Sequence, residues 1–116
     1  MDQNKPIPVI YDYDRFGDFF KDYCDEYRTR HRWFSYRRLA ERVGLKSHTH
    51  LIRVARNAKI PSDELVVSIG QVLKIPREQV SYARYMTRLQ ATDNKSESRD
   101  LKEKLESLKG PVAQSG

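Results

Sequence analysis

The stretch LAERVGLKSHTHLIRVARNAKI, residues 39–60, decides the fold. Its first part has the spacing of a short helix that meets Gly44. Its second part has the spacing of another, with the apolar residues interrupted by Arg53 and Arg56. Just upstream, Ser35 is a good helix N-cap, because its hydroxyl can accept one of the unpaired amides of a first turn. Phe34 and Leu39 then stand in the N′ and N4 positions of a hydrophobic staple. Tyr36, Leu39, Ala40 and Val43 make the inner face, and Arg37, Arg38, Glu41 and Arg42 face away. A glycine just past the last periodic residue is where a helix stops. The next helix is predicted from a cap at Ser47 to about Asn57, since Asn tolerates the left-handed conformation that often ends a helix.

Working outward, residues 1–11 hold two prolines and no helical period. They read as extended, with Val9, Ile10 and Tyr11 laid on the core. A first helix is expected from Asp12 or Asp14, either of which could cap it. Phe16, Phe19, Phe20, Tyr23, Cys24 and Tyr27 recur at the spacing of a broad buried stripe. Asp18, Asp22, Asp25 and Glu26 are its solvent side. Beyond Ile60, Pro61 and the cap Ser62 precede Asp63 and Glu64, acids that the positive end of a helix dipole favours. Leu65, Val66, Ile69, Val72 and Leu73 form that helix's inner face. A fifth helix opens at Pro76 and runs through Val80, Ala83 and Met86 towards Leu89. Residues 91–97 read as a polar linker. Residues 98–109 can form a last helix with Leu101, Leu105 and Leu108 on one side, stopped by Gly110 and Pro111. At that length it is marginal alone and must dock, pair or stay partly disordered. No strand pattern and no internal repeat appears. The chain is therefore expected to be all-α, with an extended segment over 1–11, a helical domain over 12–90, and a linker with a marginal helix over 91–116.

At 116 residues there is enough chain for one domain and a modest core. The formal charge of +6 is unevenly spread. Residues 1–27 carry three basic and seven acidic residues, whereas residues 28–59 carry ten basic and one acidic. A focused basic field favours a polyanionic partner. Cys24 is the only cysteine, so no disulfide framework or thiolate metal cluster forms within one chain. Neither a signal peptide nor a membrane-length apolar run is present, and the simplest compartment is the cytoplasm.

Leu39-Ala40-x-x-x-Gly44 followed by a capped second helix resembles the helix-turn-helix of Cro/C1-type (XRE-like) repressors. Pro61-Ser62 opening a helix and Leu73-Lys74-Ile75 closing it also match that five-helix domain, over about residues 35–80. The pattern of Tyr11, Phe16, Phe19, Phe20 and Tyr23, followed by Phe34-Ser35-Tyr36-Arg37-x-Leu39-Ala40 and Gly44-Leu45, is similar to the N-terminal module of a bacterial paralogous family. There a helix-turn-helix is joined to a larger domain of unknown function (the DUF4423 type). The turn over residues 44–51 is similar to that family's, one residue longer than in Cro-type repressors. Two departures stand out. Asn57 occupies the place of the usual glycine, and only residues 90–116 follow the fifth helix, so effector sensing by a large second domain is not implied. The resemblance implies a five-helix Cro/C1-repressor-like domain that binds double-stranded DNA, often as a homodimer.

On a wheel of about 100° per residue with Leu51 inward, Val54, Ala55 and Ala58 point in, while Thr49, Arg53 and Arg56 point out. His50, Lys46 and Asn57 flank one side and Ile52 the other. Arg can grip guanine O6 and N7 together, and Thr can meet a polar base edge or a thymine methyl. Thr49, His50, Arg53 and Arg56 are thus the candidates for base contact. Arg37, Arg38, Arg42, Lys46 and Lys59 are better placed for phosphates, which set affinity rather than sequence choice. Ile52 suits either a thymine methyl or a protein contact. Trp33 suits either cover for the corner between the first two helices or a stacking partner.

His48 and His50 point apart on a helix and have no nearby Cys, Asp or Glu in sequence, so no metal is expected. There is no glycine-rich phosphate loop, nucleophile–base pair or apolar carboxylate pair; neither an enzyme nor a cofactor is expected. Two functions remain in view. One is a sequence-specific DNA-binding transcriptional regulator reading DNA with residues 47–57, its dimer surface formed by Tyr82, Tyr85 and Met86 or by the Leu101, Leu105 and Leu108 tail. The other is the same fold reused as an adaptor for an acidic protein, anchored by Trp33 and Ile52. Single-stranded RNA is a lesser option, because it is normally held on exposed aromatic platforms and most aromatics here lie on the buried stripe.

Overall fold

The protein is all-helical over the residues that its structure, a computed structural model, describes: residues 7–115, with side chains through residue 109. A 3-10 turn at Ile10–Asp12 precedes α1 (Phe16–Arg30), α2 (Tyr36–Arg42), α3 (Thr49–Ala55), α4 (Asp63–Leu73), α5 (Arg77–Ala91) and α6 (Lys95–Ser115). Helix α5 is the centre of the assembly: α4, α6, α1 and the 3-10 turn all pack on it. α3 lies against α1 and α2, and α2 also touches α4.

The aromatic stripe of α1 does what its spacing predicts. Phe16, Phe19, Phe20, Tyr23 and Cys24 are buried and Tyr27 is half-buried. The helix does not start at Asp12 or Asp14, however. Asp12 belongs to the 3-10 turn, and Arg15 stands at the cap position without a side-chain bond. The Phe16 amide instead donates to Gln90 Oε1 of α5 at 2.8 Å, and the Ile10 amide donates to Gln79 Oε1 at 3.0 Å. Ile10 is fully buried, as expected for a segment laid on the core, whereas Val9 is exposed. Residues 1–6 of the expected extended segment lie outside the described residues.

Ser35 and Ser62 cap as their sequence contexts predict, accepting from the amides of Arg38 at 3.1 Å and Leu65 at 3.2 Å. Helix α2 ends at Gly44 with φ +83°. The Leu45 amide reaches back to Ala40 O and that of Gly44 to Glu41 O, the paired bonds of a Schellman stop. Nothing lies within 4 Å of where a Gly44 side chain would sit, so glycine is demanded there by backbone conformation, not by space. Asn57 repeats the motif after α3, with φ +62° and bonds from Ala58 to Arg53 O and Asn57 to Val54 O.

The C-terminal helix departs from expectation. It starts at Lys95 rather than Ser98, because Asn94 Oδ1 accepts the Glu97 amide at 2.9 Å and caps it. It continues past Gly110 and Pro111 to Ser115 rather than stopping at them. It docks on α5 through Leu101 and Leu105, both buried, with Leu108 half-buried beside them. Tyr82 and Met86 of α5 are buried too. The two faces weighed as dimer surfaces thus lie largely within the fold of one chain, where α6 is packed against α5. No helix among the described residues is long and apolar enough to cross a membrane.

Candidate functional site

The candidate site is the outer side of α2, the Gly44 turn and α3. Leu51 and Val54 are completely buried and Ala55 nearly so. Each buried Leu or Val side chain contributes about 1.5–3 kcal/mol of transfer free energy, which holds this short helix down on α1 and α2. With those residues inward, Thr49, Arg53 and Arg56 are exposed, and His50 and Ile52 are partly so.

Helix α3 is shorter than the predicted span of 47–57. Ser47 lies outside it, and its Oγ accepts the Thr49 amide at 3.1 Å in a turn. Arg56 is the C-cap and Asn57 is left-handed, so the chain leaves the helical wheel there. For that reason Ala58 is exposed rather than inward. Lys46 stands before the helix, in the turn.

Among the described residues, none of Arg37, Arg38, Arg42, Lys46, Arg53, Arg56 and Lys59 makes an ion pair with a carboxylate. All seven are exposed. The structure brings His50 into the field of Lys59 and Arg53. Partial burial first, then those two cations, hold its imidazole pKa below the ordinary value. The neutral form that this favours has one donor and one acceptor nitrogen to offer a base edge or backbone.

Trp33 sits at the corner of α1 and α2. Its ring meets Tyr27 edge-on at 5.8 Å and Phe34 at 5.7 Å, and the Arg42 guanidinium lies over its face, 3.9 Å from the centroid. Of its two sequence readings, corner cover is the one the geometry matches. Arg42 is consequently held on an indole, a contact of about 0.5–2 kcal/mol, while the other cations are not so fixed.

One positioning contact is invisible in sequence. Asn57 Nδ2 donates to Asp18 Oδ1 at 2.8 Å, joining the end of α3 to the start of α1 across 39 residues. A side chain on Gly17 would come within 2.3 Å of Val54 O and 2.8 Å of Asn57 Cγ. Glycine there permits the close crossing of the two helices. The only advance sign was a glycine inside a helical run, which commonly marks a close approach. Among the described residues, no group of three or more His, Cys, Asp or Glu is placed to hold a metal ion. Comparisons with family models, curated proteins and solved structures give no match.

Proposed function

We propose that this chain is a transcriptional regulator that binds double-stranded DNA in a sequence-specific manner through a helix-turn-helix of the Cro/C1 type. In this reading α2 and α3 are the two helices of the motif and α3 enters the major groove. The observation that carries it is the α3 surface: exposed Thr49 and Arg53 one turn apart, Arg56 just beyond, and a surround of cations with no acid partner among the described residues. Unpaired arginines on an exposed helix keep their donors available for base edges. Arg37, Arg38, Arg42, Lys46 and Lys59 supply phosphate contacts that set register and affinity.

A dimer placing two such helices one DNA turn apart needs a surface other than Tyr82, Met86, Leu101 and Leu105, which are buried within the chain. The second reading, an adaptor for an acidic protein, draws on Ile52, a partly exposed apolar side chain among cations.

An NMR titration with random and then selected duplex DNA at two salt concentrations separates the two. The regulator reading expects tight, sequence-dependent shifts at Thr49, Arg53 and Arg56, and affinity falling with a log–log salt slope of about −0.9 per phosphate neutralised. Faint shifts over every arginine, the same for all duplexes, would sink it and send the search to a protein partner at Ile52.

A further inference from the structure

A largely apolar cleft lies away from the basic face, where the C-terminal ends of α1 and α4 meet. It is a cleft of about 320 Å³, at the small end of the range for ligand sites. Ile7, Tyr23, Tyr27 and Leu73 line it, together with Glu26, Arg30, His31 and Lys74. The polar end of Tyr23 is already used: its hydroxyl donates to Leu73 O at 3.1 Å, so the ring offers the cleft carbon surface. Tyr27 and His31 stack at 3.8 Å and form one side as a single slab.

Charge defines what fits. The acid in the lining, Glu26, is held by Arg30 at 3.6 Å. Lys74 makes no ion pair among the described residues. It stands in the left-handed conformation at φ +61° because it ends α4, its amide and that of Ile75 both reaching back to Gly70 O. A lysine that lines an apolar cleft, with no ion pair among the described residues, complements a carboxylate on a small apolar body. The geometry points to a binding site for a small aromatic or branched-chain monocarboxylate, its body between Tyr23, Tyr27 and Leu73 and its carboxylate on Lys74. Occupancy would be felt at a distance, because the Tyr27 ring also touches Trp33, on which Arg42 lies. Trp33, the only tryptophan, is therefore a built-in reporter that requires no DNA.

The test uses the full chain with phenylacetate as probe and phenylacetamide as its neutral counterpart. Expected are saturable amide shifts at Tyr27, His31 and Lys74, a parallel change in Trp33 fluorescence, and a Kd on the order of a millimolar or tighter, as suits so small a ligand. The neutral amide should bind about tenfold more weakly, the margin of a charge-assisted contact. Lys74→Gly relieves the left-handed strain and so keeps the fold, while it removes the ammonium; it should erase the preference for acid over amide. Equal binding of acid and amide by the native chain would overturn the proposal, as would shifts confined to the α2–α3 surface. A chain lacking residues 1–6 that binds phenylacetate where the full chain does not would assign the cleft to the protein's own N-terminal segment, and would overturn it as well.

Discussion

The α2–α3 corner and the α4–α5 pair are built from the same kinds of residue and treat charge in opposite ways. In α4–α5, Asp63 collects both nearby arginines: Arg88 hydrogen-bonds its carboxylate, and Arg84 stands 3.4 Å away. Its pKa lies below the ordinary carboxylate value, chiefly through the Arg88 hydrogen bond and against the opposing effect of burial. In α2–α3, seven cations have no acid partner among the described residues. Surface ion pairs contribute only about 0–1 kcal/mol each, so the difference concerns stability little. It concerns availability: Arg84 and Arg88 of α5 are occupied, and among the described residues Arg53 of α3 is not.

The contrast can be broken first through the core. Leu51→Ala, beneath the basic surface, should cost about 2–5 kcal/mol in chemical denaturation. Leu101→Ala, at the edge of α5–α6 and 8 % exposed, should cost less; equal losses would mean that α6 is as integral as α3. Next comes binding. Arg53→Ala should weaken a selected duplex by about 1–3 kcal/mol without changing Tm, whereas Arg84→Ala should leave the duplex affinity alone. If both variants lose the same affinity, pairing does not distinguish the two surfaces. The caps sharpen the comparison within stability. Ser35→Ala and Ser62→Ala should each cost about 1 kcal/mol by thermal melting, with only Ser35→Ala also reducing duplex binding, since it frays α2. The smallest effect is acid sensitivity. A depressed folded pKa means that the stability contributed by Asp63 is complete above the ordinary carboxylate value of about 4. It is lost as pH falls through the lower folded value. Asp63→Asn should flatten that acid limb of the stability curve by a few tenths of a kcal/mol, while Arg53→Ala leaves it unchanged.

Much of the helical plan was legible because its signals are local. The stripe of α1, the caps Ser35 and Ser62, the Gly44 stop and the left-handed Asn57 each depend on residues within a turn or two. The boundaries that were missed depend on distant partners or on a competing cap. α1 begins where Gln90 meets Phe16, and α6 begins at Lys95, capped by Asn94, rather than at Ser98. Ala58 was misplaced because the wheel was extended through Asn57, beyond the last helical residue. The candidate surface was legible as composition and period. The embrace of Asp18 and Asn57, and the hold of Trp33 on Arg42, were not, because no periodicity encodes which solvent-side residues of two different elements will meet.

The glutamine that finishes α1 also orders events in time. The amide of Phe16 is satisfied by a side chain 74 residues further along, and that of Ile10 by one 69 further along. A nascent chain emerging from a ribosome has the first helix long before it has either glutamine. Its N-terminal turn stays open to water until α5 arrives, and contacts of such separation slow folding. The two halves of this small protein are thus completed together, and a fragment ending before α5 would carry a first helix with a loose start.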